Sequence, residues 1–191
     1  TVAEPLGIIL HTMDVAEMRL GDTVAVLGSG PIGMLCIAVA KLRGASKVFV
    51  ADKVAHRVAL GLKMGADAGI HTAAESVCDT ILDATGGRGV DIVLDAAGMM
   101  ETINWGMKIA RRGGKFVLVG LPTEPDLVID LHSAMNKQVQ IRTVRRSRLN
   151  TDTAIGLLAA RRVPDALVTH RIPLERTPEA FETLADYADG V

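Results

Sequence analysis

Aromatic residues are scarce in this chain of 191: Phe49, Trp105, Phe116, Phe181 and Tyr187 are all it has. A core built on stacked rings is therefore excluded. The interior must rest on Val, Ile, Leu, Ala and Met, and with 49% apolar residues there is enough of them. Cysteine is nearly absent too. Cys36 and Cys78 form no Cys-x-x-Cys pair, so a cysteine zinc cluster is excluded and a single disulfide is the minor reading. They read as free thiols in a reducing compartment. Charge of one sign is missing: the formal net charge is -1, which removes any global electrostatic reason to expect nucleic acid or acidic lipid. No N-terminal signal pattern occurs, and no apolar run approaches the ~20 residues of a spanning helix. A soluble, cytoplasmic protein is expected. His11, His56, His71, His132 and His170 show no paired ligand spacing and read as surface or hydrogen-bonded residues.

Four short runs are rich in β-branched residues: 23–28 (TVAVLG), 47–52 (KVFVAD), 91–95 (DIVLD) and 115–120 (KFVLVG). They are almost continuously apolar rather than alternating. A strand covered on both faces reads that way, which predicts a parallel sheet with helices on each side. Helices are predicted between them at 31–43, 54–64, 73–85 and 99–110, with a leading helix at 5–18. Weaker strands at 67–70 and 138–144 (QVQIRTV) bring the total to about six. This strand-helix alternation predicts an α/β fold, a Rossmann-type doubly wound, mainly parallel six-stranded sheet. After Val144 the pattern changes: helices at 151–160 and 178–188 flank a strand-like 169–174. The expected division is a dinucleotide-binding domain over 1–145 and a helical segment over 146–191.

The motif with chemical meaning is Gly28-Ser29-Gly30-Pro31-Ile32-Gly33. Alone, such a glycine pattern arises by chance. Here it follows a predicted strand and opens a predicted helix, the context in which it binds dinucleotides. Gly28 permits the tight turn, Gly30 lets backbone approach a pyrophosphate, and Gly33 lets helix and strand pack closely. Open N–H groups and the helix dipole then favour an anion. Pro31 suits the first helical turn, where its missing N–H costs nothing. Asp52 ends the second strand 19 residues beyond Gly33. A carboxylate there accepts both ribose hydroxyls of an adenosine and repels a 2′-phosphate, so NAD is expected over NADP. An ordinary turn residue would look the same without the glycine loop. Lys53 is a nearby cation of the kind NADP sites use, and Arg57 can lie along the adenine edge or in solvent. The strand ends 95–98 (DAAG), with Ala97, and Val119, Gly120 and Leu121 should face the same crevice, since ligands bind outside the carboxyl ends of such strands.

With these residues in place, the chain resembles the zinc-type medium-chain alcohol and polyol dehydrogenases, nearest the sorbitol, butanediol and threonine dehydrogenase branch. The resemblance covers nearly the whole chain. It rests on Glu4-Pro5-Leu6, VAVLGSGPIGML (24–35), 50–52 with Arg57, the GAD at 65–67, GGKFVLVGL (113–121) and VTHRIPLE (168–175). It implies NAD as cofactor and zinc in the intact enzyme, with the zinc ligands on a catalytic segment preceding E-P-L. The chain is therefore expected to be a coenzyme-binding fragment, inactive alone. Glu4 matches a family position near the catalytic metal, but one glutamate cannot hold zinc, which takes about four ligands. Arg146 aligns with the family's substrate-side arginine and is counted among the cofactor-crevice residues. Around it stands Arg145-Arg146-Ser147-Arg148 rather than the aromatic-Arg-aromatic run of sorbitol dehydrogenases, so a solvated basic cluster is an equal reading. The family further implies a homodimer or homotetramer, with 127–131 (LVIDL) a strand candidate beside the sheet edge at 138–144.

The expected reaction is hydride transfer between a secondary alcohol and NAD, with orientation and proximity as this chain's contribution. A short-chain dehydrogenase needs Tyr-x-x-x-Lys; the only tyrosine is Tyr187, and position 191 is valine. A methyltransferase can share a glycine loop and an acid, but GPIG entering an apolar helix suits dinucleotides better. The non-catalytic alternative is a stand-alone NAD-binding or sensing module. Nucleic-acid binding has only the cluster at 142–148 behind it, with no aromatic stacking residues.

Overall fold

The computed structural model describes residues 2–185. Six strands form one sheet: β1 (Thr23–Leu27), β2 (Lys47–Asp52), β3 (Ala68–His71), β4 (Val90–Asp95), β5 (Ala110–Leu118) and β6 (Gln140–Thr143). Their spatial order is β3-β2-β1-β4-β5-β6, and every pair is parallel. The order reverses between β1 and β4, which opens a crevice outside their carboxyl ends. Helices α1 (Ala3–Val15), α2 (Pro31–Leu42), α3 (Ala55–Lys63), α4 (Val77–Ala84), α5 (Met100–Ile109), α6 (Leu131–Lys137), α7 (Thr151–Ala159) and α8 (Thr177–Ala185) surround it.

Continuous apolar strands follow from this arrangement. Successive side chains leave a strand on opposite faces. Val24 and Val26 enter one core with Leu6, Ile9 and Met13 of α1 and the buried side of α2. Ala25 and Leu27 enter the other with Ile81 of α4, Ile103 and Met107 of α5, and both core phenylalanines, Phe49 and Phe116. Burying each of those rings contributes about 2–3 kcal/mol. Ala154 of α7 and Val163 lie in the first core with α1, so α7 packs on the same body. Helix α2 is buried from Gly33 to Ala40, as its nearly all-round apolarity requires.

Several boundaries differ from the sequence reading. Helix 73–85 begins only at Val77, where the Ser76 hydroxyl caps Asp79 N–H. Strand 115–120 stops at Leu118, because Val119 and Gly120 turn both their N–H groups to the Asp95 carbonyl. It also begins earlier, at Ala110, with a register shift opposite residues 90–92. The strand candidate 127–131 is not a strand. Asp130 there caps α6 by accepting from Ser133 N–H at 3.0 Å and Ser133 Oγ at 2.6 Å. Residues 169–174 are not a strand either: Pro173 has no N–H to give a ladder, and the chain turns into a 3-10 helix at Leu174–Arg176. Positions 186–188 of the last expected helix, with Tyr187, lie outside the described residues. Among the described residues, no helix is long and apolar enough to cross a membrane. Both cysteines are free, and burial pushes the Cys36 thiol up to about 12.

Candidate functional site

The glycine loop joins β1 to α2 and is built from close contacts. Gly28 has φ +88°, which L side chains rarely adopt, and a Cβ there would stand 3.0 Å from Ala97 Cβ. A Cβ on Gly33 would lie 1.9 Å from the Gly28 carbonyl oxygen, so helix and loop meet only because Gly33 has none. Gly30 is different. Its φ of -67° and ψ of -174° suit any residue, and a Cβ there would have no atom of the described residues within 4 Å. Neither backbone conformation nor packing among the described residues calls for glycine at this position. What the missing Cβ leaves is space at the mouth of α2. That helix has no side-chain cap, and Pro31 brings no N–H, so the N–H groups of Ile32 and Gly33 have no intrahelical partner.

Asp52, 9% exposed, ties this loop to β2. Its Oδ2 accepts from Ser29 N–H at 2.7 Å and Ser29 Oγ at 3.0 Å, and its Oδ1 accepts from Val54 N–H at 2.9 Å. The carboxylate thus holds two loops while Oδ1 keeps acceptor capacity.

The crevice has two halves. One, of about 440 Å³, is lined by Gly28, Gly30, Asp52, Lys53, Arg57 and Ala97, with Thr72, Met99 and Trp105 closing the far wall. The other, of about 550 Å³, is lined by Ile32, Ala97, Val119, Gly120, Leu121 and Arg146, with Ile8 and Arg145. Ala96 and Ala97 border both halves and form the saddle between them. Pro31 faces a smaller cleft of about 180 Å³ with Arg57 and Leu60. The structure therefore gathers nearly every residue that the sequence singled out. Gly33 acts beneath the loop rather than on its surface. Glu4 stands apart, exposed in the first turn of α1, one turn before Ile8.

Sequence reasoning missed the wall residues Thr72, Met99 and Trp105, which arrive from separate elements. It also missed the part played by Asp95, although a charged residue ending an apolar strand was a visible signal. Asp95 is 0% exposed. Its Oδ1 accepts from Ala97 N–H at 3.1 Å, Gly98 N–H at 3.3 Å and Thr102 Oγ1 at 3.0 Å. Among the described residues, its Oδ2 has no hydrogen-bond partner. Burial pushes this carboxyl up to about 6, against the three donors that lower it.

A metal fits less well. Among the described residues, no group of three or more His, Cys, Asp or Glu could hold one. The described residues do not make a zinc site.

These features define a dinucleotide-binding α/β domain. Residues 31–160 match the family model described as zinc-binding dehydrogenase, and the chain belongs to that family. It is 38% identical over 183 residues to a sorbitol dehydrogenase of Homo sapiens, covering 94% of this chain and 51% of that one. To an L-threonine 3-dehydrogenase of Bacillus velezensis it is 33% identical over 187 residues, covering 96% of this chain and 54% of the relative. A structure from Sinorhizobium meliloti 1021, assigned as a zinc-binding dehydrogenase bound to NADP, superimposes with a TM-score of 0.87 at 28% identity, over 93% of this chain and 53% of that one. The chain spans about half the length of the curated relatives it matches.

Proposed function

We propose that this chain binds NAD(H) across the crevice and presents the nicotinamide for hydride exchange with a secondary alcohol, as the coenzyme-binding part of a larger dehydrogenase. The observation that carries the reading is Gly30: a glycine that neither its backbone angles nor its neighbours require, standing before open space at an uncapped helix terminus. A pyrophosphate is the ligand for which that space and those N–H groups are suited. Lys53, Arg57 and Asp52 border the half that receives the adenosine, and Val119, Gly120, Leu121 and Arg146 the half that receives the nicotinamide. The bound coenzyme supplies or accepts the hydride. This chain's residues hold the ring in place and shield one of its faces from water. The zinc and most of the substrate pocket belong, in this proposal, to a catalytic segment that residues 146–191 rejoin, with Glu4 near the metal. Sorbitol and threonine dehydrogenase relatives favour a polyol, diol or hydroxy amino acid.

NAD is preferred to NADP in this reading because Asp52 would face a 2′-phosphate with a negative charge. The assembly proposed is a homodimer through the free edge of β6, with homotetramers built from it. Leu127 and Ile129 pack inward, whereas Val128 is 79% exposed in the segment that leads through α6 to that edge. Light scattering should find a dimer that Val128→Lys disrupts; a monomer at high concentration would remove this part.

The function is tested by calorimetry with NADH on Gly30→Val. The variant should melt within a degree or two of the parent yet bind at least tenfold more weakly. Unchanged affinity would mean that no ligand occupies the space before Gly30.

A further inference from the structure

Two of the three loops that shape the crevice are tied to one residue, Asp95. Loop 96–98 is held by Asp95 Oδ1, which takes the Ala97 and Gly98 N–H groups and reaches Thr102 of α5. Residues 119–120 are held by the Asp95 carbonyl, which accepts both their N–H groups, at 2.9 and 2.8 Å. These two loops then press on each other: a Cβ on Gly120 would lie 2.6 Å from Gly98 N, and one on Gly98 would lie 2.8 Å from the Leu121 carbonyl oxygen. Ala97 in turn abuts Gly28 of the glycine loop. Asp95 itself touches no open space.

A side chain with no other purpose than closing a turn would present both oxygens to donors, because a buried carboxylate oxygen left unpaired costs free energy. Here one oxygen takes three donors and the other takes none. Two of the three donors belong to loop 96–98, which forms the saddle between the two halves of the crevice, and the third, Thr102, ties that loop to α5. An apolar residue would spare the penalty but would release the Ala97 and Gly98 N–H groups, and with them the height of the saddle.

We propose that Asp95 is a positioning residue of the coenzyme crevice: through its two sets of hydrogen bonds it fixes loops 96–98 and 119–121 as one unit and so sets where the nicotinamide half begins. The proposal rests on the dinucleotide reading above. It assigns Asp95 no contact with the ligand. It predicts an effect that depends on how much of the crevice a ligand spans. NADH crosses the saddle, whereas ADP fills the adenosine half and stops near the glycine loop.

The experiment measures NADH and ADP binding by calorimetry, and the emission of bound NADH, for the parent chain, Asp95→Ala and Asp95→Asn. Asp95→Ala should weaken NADH at least tenfold and ADP no more than threefold, and should abolish the change in NADH emission on binding. Asp95→Asn, which keeps an acceptor oxygen for the three donors, should restore NADH affinity to within about threefold. Should Asp95→Ala fail to fold, Asp95→Ser takes its place with the same expectations. Equal losses for NADH and ADP would reduce Asp95 to a general structural role, and no loss for either would remove it from the site; each result overturns the proposal. A parent chain that binds neither ligand would overturn the dinucleotide reading instead.

Discussion

Strand β4 carries a buried aspartate near each end, and the two are treated in opposite ways. At the amino end Asp91 is saturated. Its Oδ2 accepts from Thr23 N–H at 2.9 Å and Thr23 Oγ1 at 2.7 Å, and its Oδ1 takes Arg88 and Arg111 at 2.6 Å each. Burial works against this charge, but the Arg88 guanidinium, the Thr23 N–H and Arg111 outweigh it and hold the carboxyl below the usual range. At the carboxyl end Asp95 is more deeply buried, meets no cation in its hydrogen bonds, and keeps one oxygen idle. One end of the sheet is a closed clamp between strands; the other tolerates an expensive arrangement where a crevice opens. Uncompensated polar groups that persist beside open space mark where a fold has given up stability for a site.

That contrast is broken most directly at the clamp. Asp91→Ala leaves two arginines and the Thr23 N–H without their acceptor, and removing one member of such a partly buried network costs about 3 kcal/mol. Thermal or urea melts should show that loss, while NADH affinity of the remaining folded protein stays within about twofold. A large loss of affinity with little change in stability would reverse the roles assigned to the two ends.

A second test lies at the open end. A carboxylate taking ribose hydroxyls contributes roughly 1.5–3 kcal/mol, about ten- to hundredfold in affinity. The parent chain should therefore prefer NADH to NADPH by at least tenfold, and Asp52→Asn should narrow the preference below threefold while still accepting from Ser29. Competitive calorimetry decides it. The NADP bound in the Sinorhizobium meliloti structure makes this a real choice within the fold, and equal affinity of the parent for both would sink the role given to Asp52.

The ends also differ in how far the sequence revealed them. Continuous apolar runs such as 24–27 announced strands covered on both faces, because each alternate side chain has its own core to enter. The glycine loop and Asp52 were legible because their chemistry is local: turn, helix start and strand end follow one another in the chain. Helix α6 was not legible. LVIDL has strand composition, and only the Asp130 cap, followed three residues later by Ser133, marked the change to helix. The crevice walls were out of reach for a different reason. Trp105 from α5 and Thr72 after β3 become neighbours only through the order of strands, and a sequence window cannot contain that. Asp95 stood in the run 95–98 expected at the crevice, but its part there was hidden, since its idle oxygen shows only once the chain has folded around it.

The smallest effect sharpens the comparison best, because pH acts on the two aspartates with opposite sign. Asp95 folded holds its proton up to about pH 6, whereas an unfolded aspartate releases it near 3.8. Between these limits the folded state binds more protons, so this residue's contribution to stability falls as pH rises and levels off above about 7. Asp91 behaves in reverse: its contribution is complete above the ordinary carboxylate range and is lost as pH falls through its lowered value. Asp95→Asn carries no titrating group and should gain on the parent by about 2 kcal/mol between pH 4.5 and pH 7.5, from a shift of about two units. The amide nitrogen left without an acceptor costs about 1–3 kcal/mol at every pH, so the slope, and not the level, is the readout. Asp91→Asn should lose ground to the parent as pH rises from acid and then run parallel to it above about pH 5. Denaturant melts of the three proteins from about pH 3 to pH 7.5 separate these slopes. If Asp95→Asn tracks the parent throughout, the carboxyl at the crevice is no costlier than the one in the clamp, and the division of the sheet into a closed end and a strained end does not hold.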